Sequence, residues 1–376
     1  MSWVSLAPAG ERAGHLLCVC DPSATPPPDD SLQTVSTGVA GAAGVFALTV
    51  LTQALTTAIL PVAGVMLAPT PAWAALPYAL TLVGAGVATL PAALLTDFFG
   101  RRATMALGAS LGLAGGAIAA RGFAIGQFWI MALGTFWLGA AQGFGFFHRH
   151  GAANRAADKA RAVALILGAG CAAAFVAPAI MAGAQAQAGP LAPAAGLMVA
   201  GALQVLTLAI VMTGGAPGRL GAATGTGRLD IRPFCFATAT AALAWFGMTR
   251  LMAHAAPAMI DCGVGTSLVA GVVASHLVWM YAPAALAGPW VTRIGAGKLA
   301  VAGLAMIGAA LFIFGLATSA LPFAALMALA GGGWSLAMLG ATVMLHKGSV
   351  PSASWLALHD GALFAAAVAG ALSGSF

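Results

Sequence analysis

Apolar residues run along this chain in blocks of about 20, the length a helix needs to cross a hydrocarbon core. Short polar or glycine- and proline-rich gaps separate the blocks. Strands of a membrane barrel would alternate apolar and polar at every second residue. Runs such as "MALGASLGLAGGAIAA" at 105–120 do not alternate. The pattern predicts helical spans near 39–62, 75–97, 103–121, 125–147, 162–184, 192–213, 234–254, 267–289, 298–317, 322–345 and 354–374. Pro69-Thr70-Pro71 parts the first two, and Gly189-Pro190 parts the fifth from the sixth. The expected fold is an all-α, multi-pass membrane protein with about eleven helices.

Composition agrees with the pattern. The 376 residues are 61% hydrophobic and 6% charged, with a mean hydropathy of +0.97. Soluble domains carry about 25% charge, so the lipid bilayer is the expected solvent. The 50 glycines lie within apolar segments, where small residues let helix backbones approach closely.

Charge then adds orientation and organisation. Residues 1–36 hold Glu11, Asp21, Asp29, Asp30 and Pro26-Pro27-Pro28. They lack a cleavable leader's pattern and are expected to form a disordered, water-exposed tail. Placing that tail in the cytoplasm puts Arg101, Arg102, Arg149, Arg155, Lys159, Arg161, Arg219, Arg228, Arg232, Arg293, Lys298 and Lys347 on the inner side. Only Arg121 and Arg250 then remain outside. This is the positive-inside distribution, and it accounts for the net charge of +6 without nucleic acid. The Gly-rich, basic segment 214–232 reads as a flexible cytoplasmic linker. It divides a six-helix half at 37–213 from a second half of about five helices at 233–376. The chain ends close to the outer end of the eleventh span, so a twelfth helix is missing from this reading.

One polar island interrupts the apolar pattern at Leu94–Ala103, "LLTDFFGRRA". An acid, a glycine and two arginines sit together at the end of the second span. A weaker copy, "GPWVTRIGAGK" at 288–298, ends the eighth. Two halves related by such a repeat are a known transporter architecture. With these residues the chain resembles the major facilitator superfamily, whose signature between helices two and three is G-x-L-x-D-R-x-G-R-R. Leu95, Asp97, Gly100, Arg101 and Arg102 match it, while Ala93 and Phe98 depart from it. Gly288, Arg293 and Gly295 match in the second copy, with Thr292 where an acid often stands. A bacterial subgroup is resembled more finely. His148–Asn154 follows the fourth helix, and His276, Met280, Tyr281, Ala282 and Pro283 lie in the eighth. Gly331, Gly333 and Trp334 lie in the tenth, and His359-Asp360 in the eleventh. Two other superfamily patterns are absent: Gly139 stands where a functional arginine often lies before Gln142-Gly143, and Ala177–Ala182 replaces an antiporter motif.

The resemblance implies two six-helix halves rocking about a midplane site, no enzymatic activity, and a location in the bacterial inner membrane. The gating residues would be Leu95, Asp97, Gly100, Arg101, Arg102, Gly288, Arg293 and Gly295. In such proteins helices one, four, seven and ten line the cavity, which makes Gln53, Gln142, Trp245 and Trp334 candidates. His276, with Trp279 and Tyr281 beside it, and Asp360 join them because ionisable groups within a span are expensive and often functional. For each of these the alternative is helix packing or a place near the headgroups. Gln204 is a third intramembrane amide. Arg250 and His254 lie one turn apart at the outer end of helix seven. The set suggests a largely neutral, aromatic cavity. Cys18, Cys20 and His15 are too few for a metal site, and no phosphate loop occurs, so neither metal nor cofactor is expected. The expected partners are a small solute, with a coupling proton an open question, and lipid; the expected state is monomeric. The alternative is a membrane sensor or assembly component that keeps the fold without transporting.

Overall fold

The computed structural model describes residues 31–147, 149–150, 158–213, 230–347 and 351–373. Most of the expected tail and linker, and the basic loop at 151–157, lie outside them. Helices α1 (Ser31–Leu67), α2 (Leu76–Ala124), α3 (Phe128–Phe146), α4 (Lys159–Ala169), α5 (Cys171–Ala188) and α6 (Ala192–Thr213) build the first half. Helices α7 (Ile231–Asp261), α8 (Thr266–Ile294), α9 (Ala296–Ile313), α10 (Ala320–Leu345) and α11 (Ala353–Leu372) build the second. No strand forms among the described residues. Helix α1 begins at Ser31, ahead of the expected boundary at 37, and α7 starts inside the expected linker, where the Asp230 side chain accepts from Arg232 N–H at 3.2 Å.

Among the described residues eight stretches are long and apolar enough to cross a membrane, against eleven spans expected. The difference lies at three places. Lys159–Thr213 is one apolar stretch of 55 residues, which folds back between α5 and α6 at Gly189. Helix α3 is walled by protein on most sides and needs no fully apolar surface. Helix α7 carries Arg232, Arg250 and His254.

Prolines stand inside α1 at Pro61, α2 at Pro91, α5 at Pro178, α7 at Pro257 and α8 at Pro283 and Pro289, each removing a helix hydrogen bond. In a bilayer such breaks persist where neighbours satisfy the freed backbone groups. Ala284 N–H, next to Pro283, donates to Ser335 Oγ of α10 at 3.0 Å. Buried threonines fold back in the same way; Thr49 Oγ1 donates to the Val45 carbonyl at 2.9 Å.

The two copies of the polar island share a backbone conformation. Gly100 takes φ 81°, ψ 161° and bends α2 into two arms. Gly295 takes φ 94°, ψ 139° between α8 and α9. Side chains disfavour this left-handed region, so each half turns on its motif glycine at the corresponding place.

Within each half, glycines bring backbones into direct contact. A Cβ at Gly139 would stand 2.0 Å from the Thr81 carbonyl oxygen of α2. No side chain fits there, so the arginine that the resemblance leads one to expect at this position has no room. In the second half a Cβ at Gly303 of α9 would stand 2.3 Å from the Gly333 oxygen of α10. Across the halves, α2 packs on α11, while α4 and α5 pack on α8 and α4 also touches α10. The kink of α2, the end of α3, the start of α4, and the ends of α8 and α10 share one end of the bundle, which we call the basic end.

Candidate functional site

At the basic end one carboxylate gathers a cluster from both halves. Asp360 lies on α11 and is fully buried, not partly wetted as the sequence allowed. Arg149, two residues past the C-cap of α3, pairs with Asp360 Oδ1 through Nη2 and donates to the Phe146 carbonyl through Nη1 at 2.9 Å. His150 Nε2 lies 3.0 Å from the same Oδ1. A carboxylate only accepts, so Nε2 carries the proton. His150 Nδ1 then accepts from His346 Nε2 at 3.0 Å, at the end of α10. Lys159, at the start of α4, donates to the His346 carbonyl at 2.6 Å. This places a cation at the C-terminus of α10, where the helix dipole favours it. His359 stands 4.0 Å from Oδ1 through Nε2, and its Nδ1 meets Thr238 Oγ1 of α7 at 2.8 Å.

Arg149, His150, His346, His359 and Asp360 are each at most 3% exposed. Burial pushes the imidazole pKa of His150 down against the pull of Asp360, and Arg149 adds to the fall. Burial lowers His346 well below the usual range, with His150, Lys159, His359 and Arg149 all acting in that direction. Both rings are therefore neutral at pH 7. The cluster is an ion pair held by hydrogen-bonded neutral imidazoles, and it clasps the first half to the second.

Above the clasp, towards the bundle centre, aromatic rings from both halves close on one another. Phe46 of α1 and Phe146 of α3 face Tyr281 of α8, Trp245 of α7, Trp334 of α10 and Phe364 of α11. Trp245 and Trp334 lie edge to face at 5.3 Å, Phe46 and Tyr281 at 6.2 Å, and Phe146 and Trp245 at 6.1 Å. The narrow cavity between them is lined by Phe46, Phe146, Trp245, Trp334 and Phe364, with Arg149 also in its wall. Two of its donors, Arg149 Nε and Trp334 Nε1, are buried with no protein acceptor.

The expected cavity residues divide. Trp245 and Trp334 line the cavity, and Tyr281 packs edge to face on Trp334 at 5.5 Å while its hydroxyl donates to Gln53 Oε1 across the halves at 3.2 Å. Gln142 instead ties α3 to Thr56 Oγ1 of α1 at 3.2 Å, and Gln204 ties α6 to Thr52 Oγ1 at 3.0 Å. His276 departs from the expected cavity role: its Nδ1 meets the Met327 carbonyl of α10 at 2.7 Å, the packing alternative. Trp279 also departs from it, standing 49% exposed on the outer face of α8. A helix face alternates within a turn, so Trp279 and Tyr281, two residues apart, cannot both point inward.

The expected gating residues divide as well. Arg102 donates through Nη2 to the Met212 carbonyl at 2.9 Å and through Nε to Val211 at 3.3 Å. It thus caps α6 within its own half. Leu95 packs part-buried against the core, and Asp97 lies on α2, one turn before the kink. Arg101 has partners of its own beside the kink. Gly288 lies where α8 crosses α4, with the Ala164 Cβ 3.5 Å from where its own would be, and Arg293 is exposed in the last turn of α8. Sequence reasoning treated Arg149 and Lys159 as topology determinants, met His150 only within the segment after the fourth helix, and did not single out His346. The signal was Asp360: an acid in so apolar a chain needs a cation, and the loops of the basic end supply it.

Solved structures match this fold over most of the chain. The human organic anion transporter MFSD10 superposes with a TM-score of 0.68 at 15% identity, covering 93% of each chain. The proton:xylose symporter XylE superposes with a TM-score of 0.72 at 12% identity, over 91% of this chain and 88% of that one. The chain is a membrane protein with the major facilitator fold. The E. coli fucose:proton symporter FucP shares that fold with a TM-score of 0.66 at 14% identity, over 89% of this chain and 88% of that one. In sequence, the riboflavin transporter RfnT of Brucella anthropi is 29% identical over 299 residues, 77% of this chain and 75% of its own length. No protein-family model matches the chain. The matched proteins named here are transporters, a non-enzymatic class.

Proposed function

We propose that this protein is a secondary transporter that carries a small solute across a bacterial inner membrane by alternating access, with its N-terminus in the cytoplasm. The observation that carries this reading is the buried Arg149–Asp360 pair. It joins the two halves at one end of a cavity that lies between them. A buried charge pair that only held helices together would be poor economy, since a well-packed apolar pair is often as stable. A pair that must break and re-form as the halves rock has a reason to be polar. The basic end is then the cytoplasmic end by the positive-inside rule, and the clasp closes the inner mouth.

Riboflavin is the first candidate cargo. The curated relative is named for it, and the aromatic walls suit a flat ring that stacks. The test is uptake of riboflavin into vesicles reconstituted with the purified chain, followed by flavin fluorescence. Saturable uptake that an empty vesicle lacks supports the reading. Absence of flux for riboflavin and for a broad solute panel favours a sensor or assembly role. Within the gating motif, Asp97→Ala is expected to lower uptake while the protein still inserts in the membrane; wild-type flux in that variant removes Asp97 from the gate.

A further inference from the structure

The cavity wall carries hydrogen-bond donors and aromatic faces, and its polar atoms offer no free acceptor. Its lining is Phe46, Phe146, Trp245, Trp334 and Phe364 with aliphatic side chains, and Arg149 is its only charged member. Asp360, whose Oδ1 is held by Arg149 and His150 and whose Oδ2 is buried without a partner, stands behind Arg149 and is not part of the lining. Arg149 Nε and Trp334 Nε1 are both buried without an acceptor. A buried donor left unpaired is costly, and a ligand that supplies the acceptor recovers that penalty. Trp334 reaches the cavity from α10 of the second half, Arg149 from beyond α3 of the first.

We propose that Arg149 and Trp334 are a specificity pair that selects a flat heteroaromatic ring bearing carbonyl or imine acceptors along an edge. In the described state the cavity is about 10 Å³, so the rings of both halves stack on such a solute once the halves part, and the two donors then orient it. An amine-bearing or cationic ring of equal size is rejected, because it brings donors to donors and a positive charge to Arg149. A site built to hydrogen-bond a ligand discriminates against analogues lacking that bond far more than an apolar pocket can. The same guanidinium that meets the solute through Nε holds the clasp through Nη2, so the solute and the closure of the inner mouth share one side chain. The inference rests on the transport reading for its purpose, but its test is one of binding.

Binding of riboflavin, whose ring carries carbonyl acceptors, and of proflavine, a cationic tricyclic diamine, is measured by fluorescence titration of the detergent-purified full chain. Riboflavin is expected to bind at least about tenfold more tightly than proflavine, the step one lost hydrogen bond represents. Trp334→Phe keeps the ring and removes the N–H, and Arg149→Lys keeps the charge and removes Nε. Each is expected to weaken riboflavin about tenfold and to leave proflavine unchanged. Circular dichroism melting checks that each variant folds; where one does not, the comparison of the two rings on the wild-type chain still decides. Equal binding of the two rings, binding of neither, or full riboflavin affinity in Trp334→Phe overturns the proposal. Riboflavin binding without vesicle flux would leave the specificity pair standing and remove the transport reading. Flux of another solute without binding of either ring would do the reverse.

Discussion

Asp360 is the residue on which most of the polar chemistry turns. It is fully buried, and its partners come from both halves. Removing one member of a buried pair strands the other, at about 3–5 kcal/mol. Asp360→Ala is therefore expected to lower the melting temperature of the purified protein clearly, and Arg149→Met to do the same. The double variant should recover part of the loss, because no charge is then stranded. Additive losses in the double variant would show that the two side chains do not act as a pair. Lys159→Ala, which removes only a donor to the His346 carbonyl, is expected to have the smaller effect.

At the scale of elements, the glycines divide into two kinds with different expected outcomes. Gly100 and Gly295 hold left-handed conformations with open space around the missing Cβ, so alanine there strains the backbone by about 1–2 kcal/mol. Gly139 is ordinary helix pressed on the Thr81 carbonyl, so alanine there must part α2 from α3. We expect Gly139→Ala to lower folded yield, measured by size-exclusion chromatography, more than Gly100→Ala or Gly295→Ala. Gly183→Ala, with nothing within 4 Å of the added carbon, should match wild type or exceed it. If Gly139→Ala behaves like Gly183→Ala, the close crossing of α2 and α3 is wrong.

Much at this scale was legible in the sequence, for physical reasons that also mark where legibility stopped. Apolar blocks of spanning length and prolines at turns mark the helices because lipid leaves few alternatives. "LLTDFFGRRA" and its echo were visible because charge is rare in such a chain, and the structure gives both copies the same glycine conformation. Trp334 and Trp245 could be placed because the resemblance names the cavity helices. Gln142 lies on one of those helices yet faces α1, since which way a helix is turned depends on packing the sequence does not spell out. His276 and Trp279 went astray for the same reason. Arg149 and His150 were hidden because a cation beside a helix end looks alike whether it meets headgroups or reaches back to an acid some 200 positions onward.

At the scale of the whole molecule, the clasp ties conformation to pH. In the described state burial holds the pKa of His150 and His346 below the ordinary value of about 6.5. Opening the basic end returns them to water and raises both towards that value, so the open state binds more protons than the closed one. The closed state is then favoured above about pH 6.5, and the advantage is lost as pH falls through that value. Arg149 and Lys159 strengthen the effect by repelling an added charge, while Asp360 opposes it and His359 sits within the same ring of groups. Spin labels placed on Arg101 and Lys347, one in each half, should report a growing long-distance population between pH 8 and pH 5. The pair of substitutions His150→Asn and His346→Asn is expected to flatten that response. A distance distribution independent of pH would separate the clasp from proton binding.

The backbone contacts at Gly139 and Gly303 give each half little room to flex along its length. Helix α10 has 26 residues, about 39 Å at 1.5 Å per residue, and runs from the clasp to the opposite mouth. A stiff arm of that length, packed on α7, α8 and α9, carries its half with it and works as a lever. A shift of an ångström where His346 meets Lys159 becomes a larger sweep at Ala320. The mouth that faces the far side of the membrane can then be governed from here.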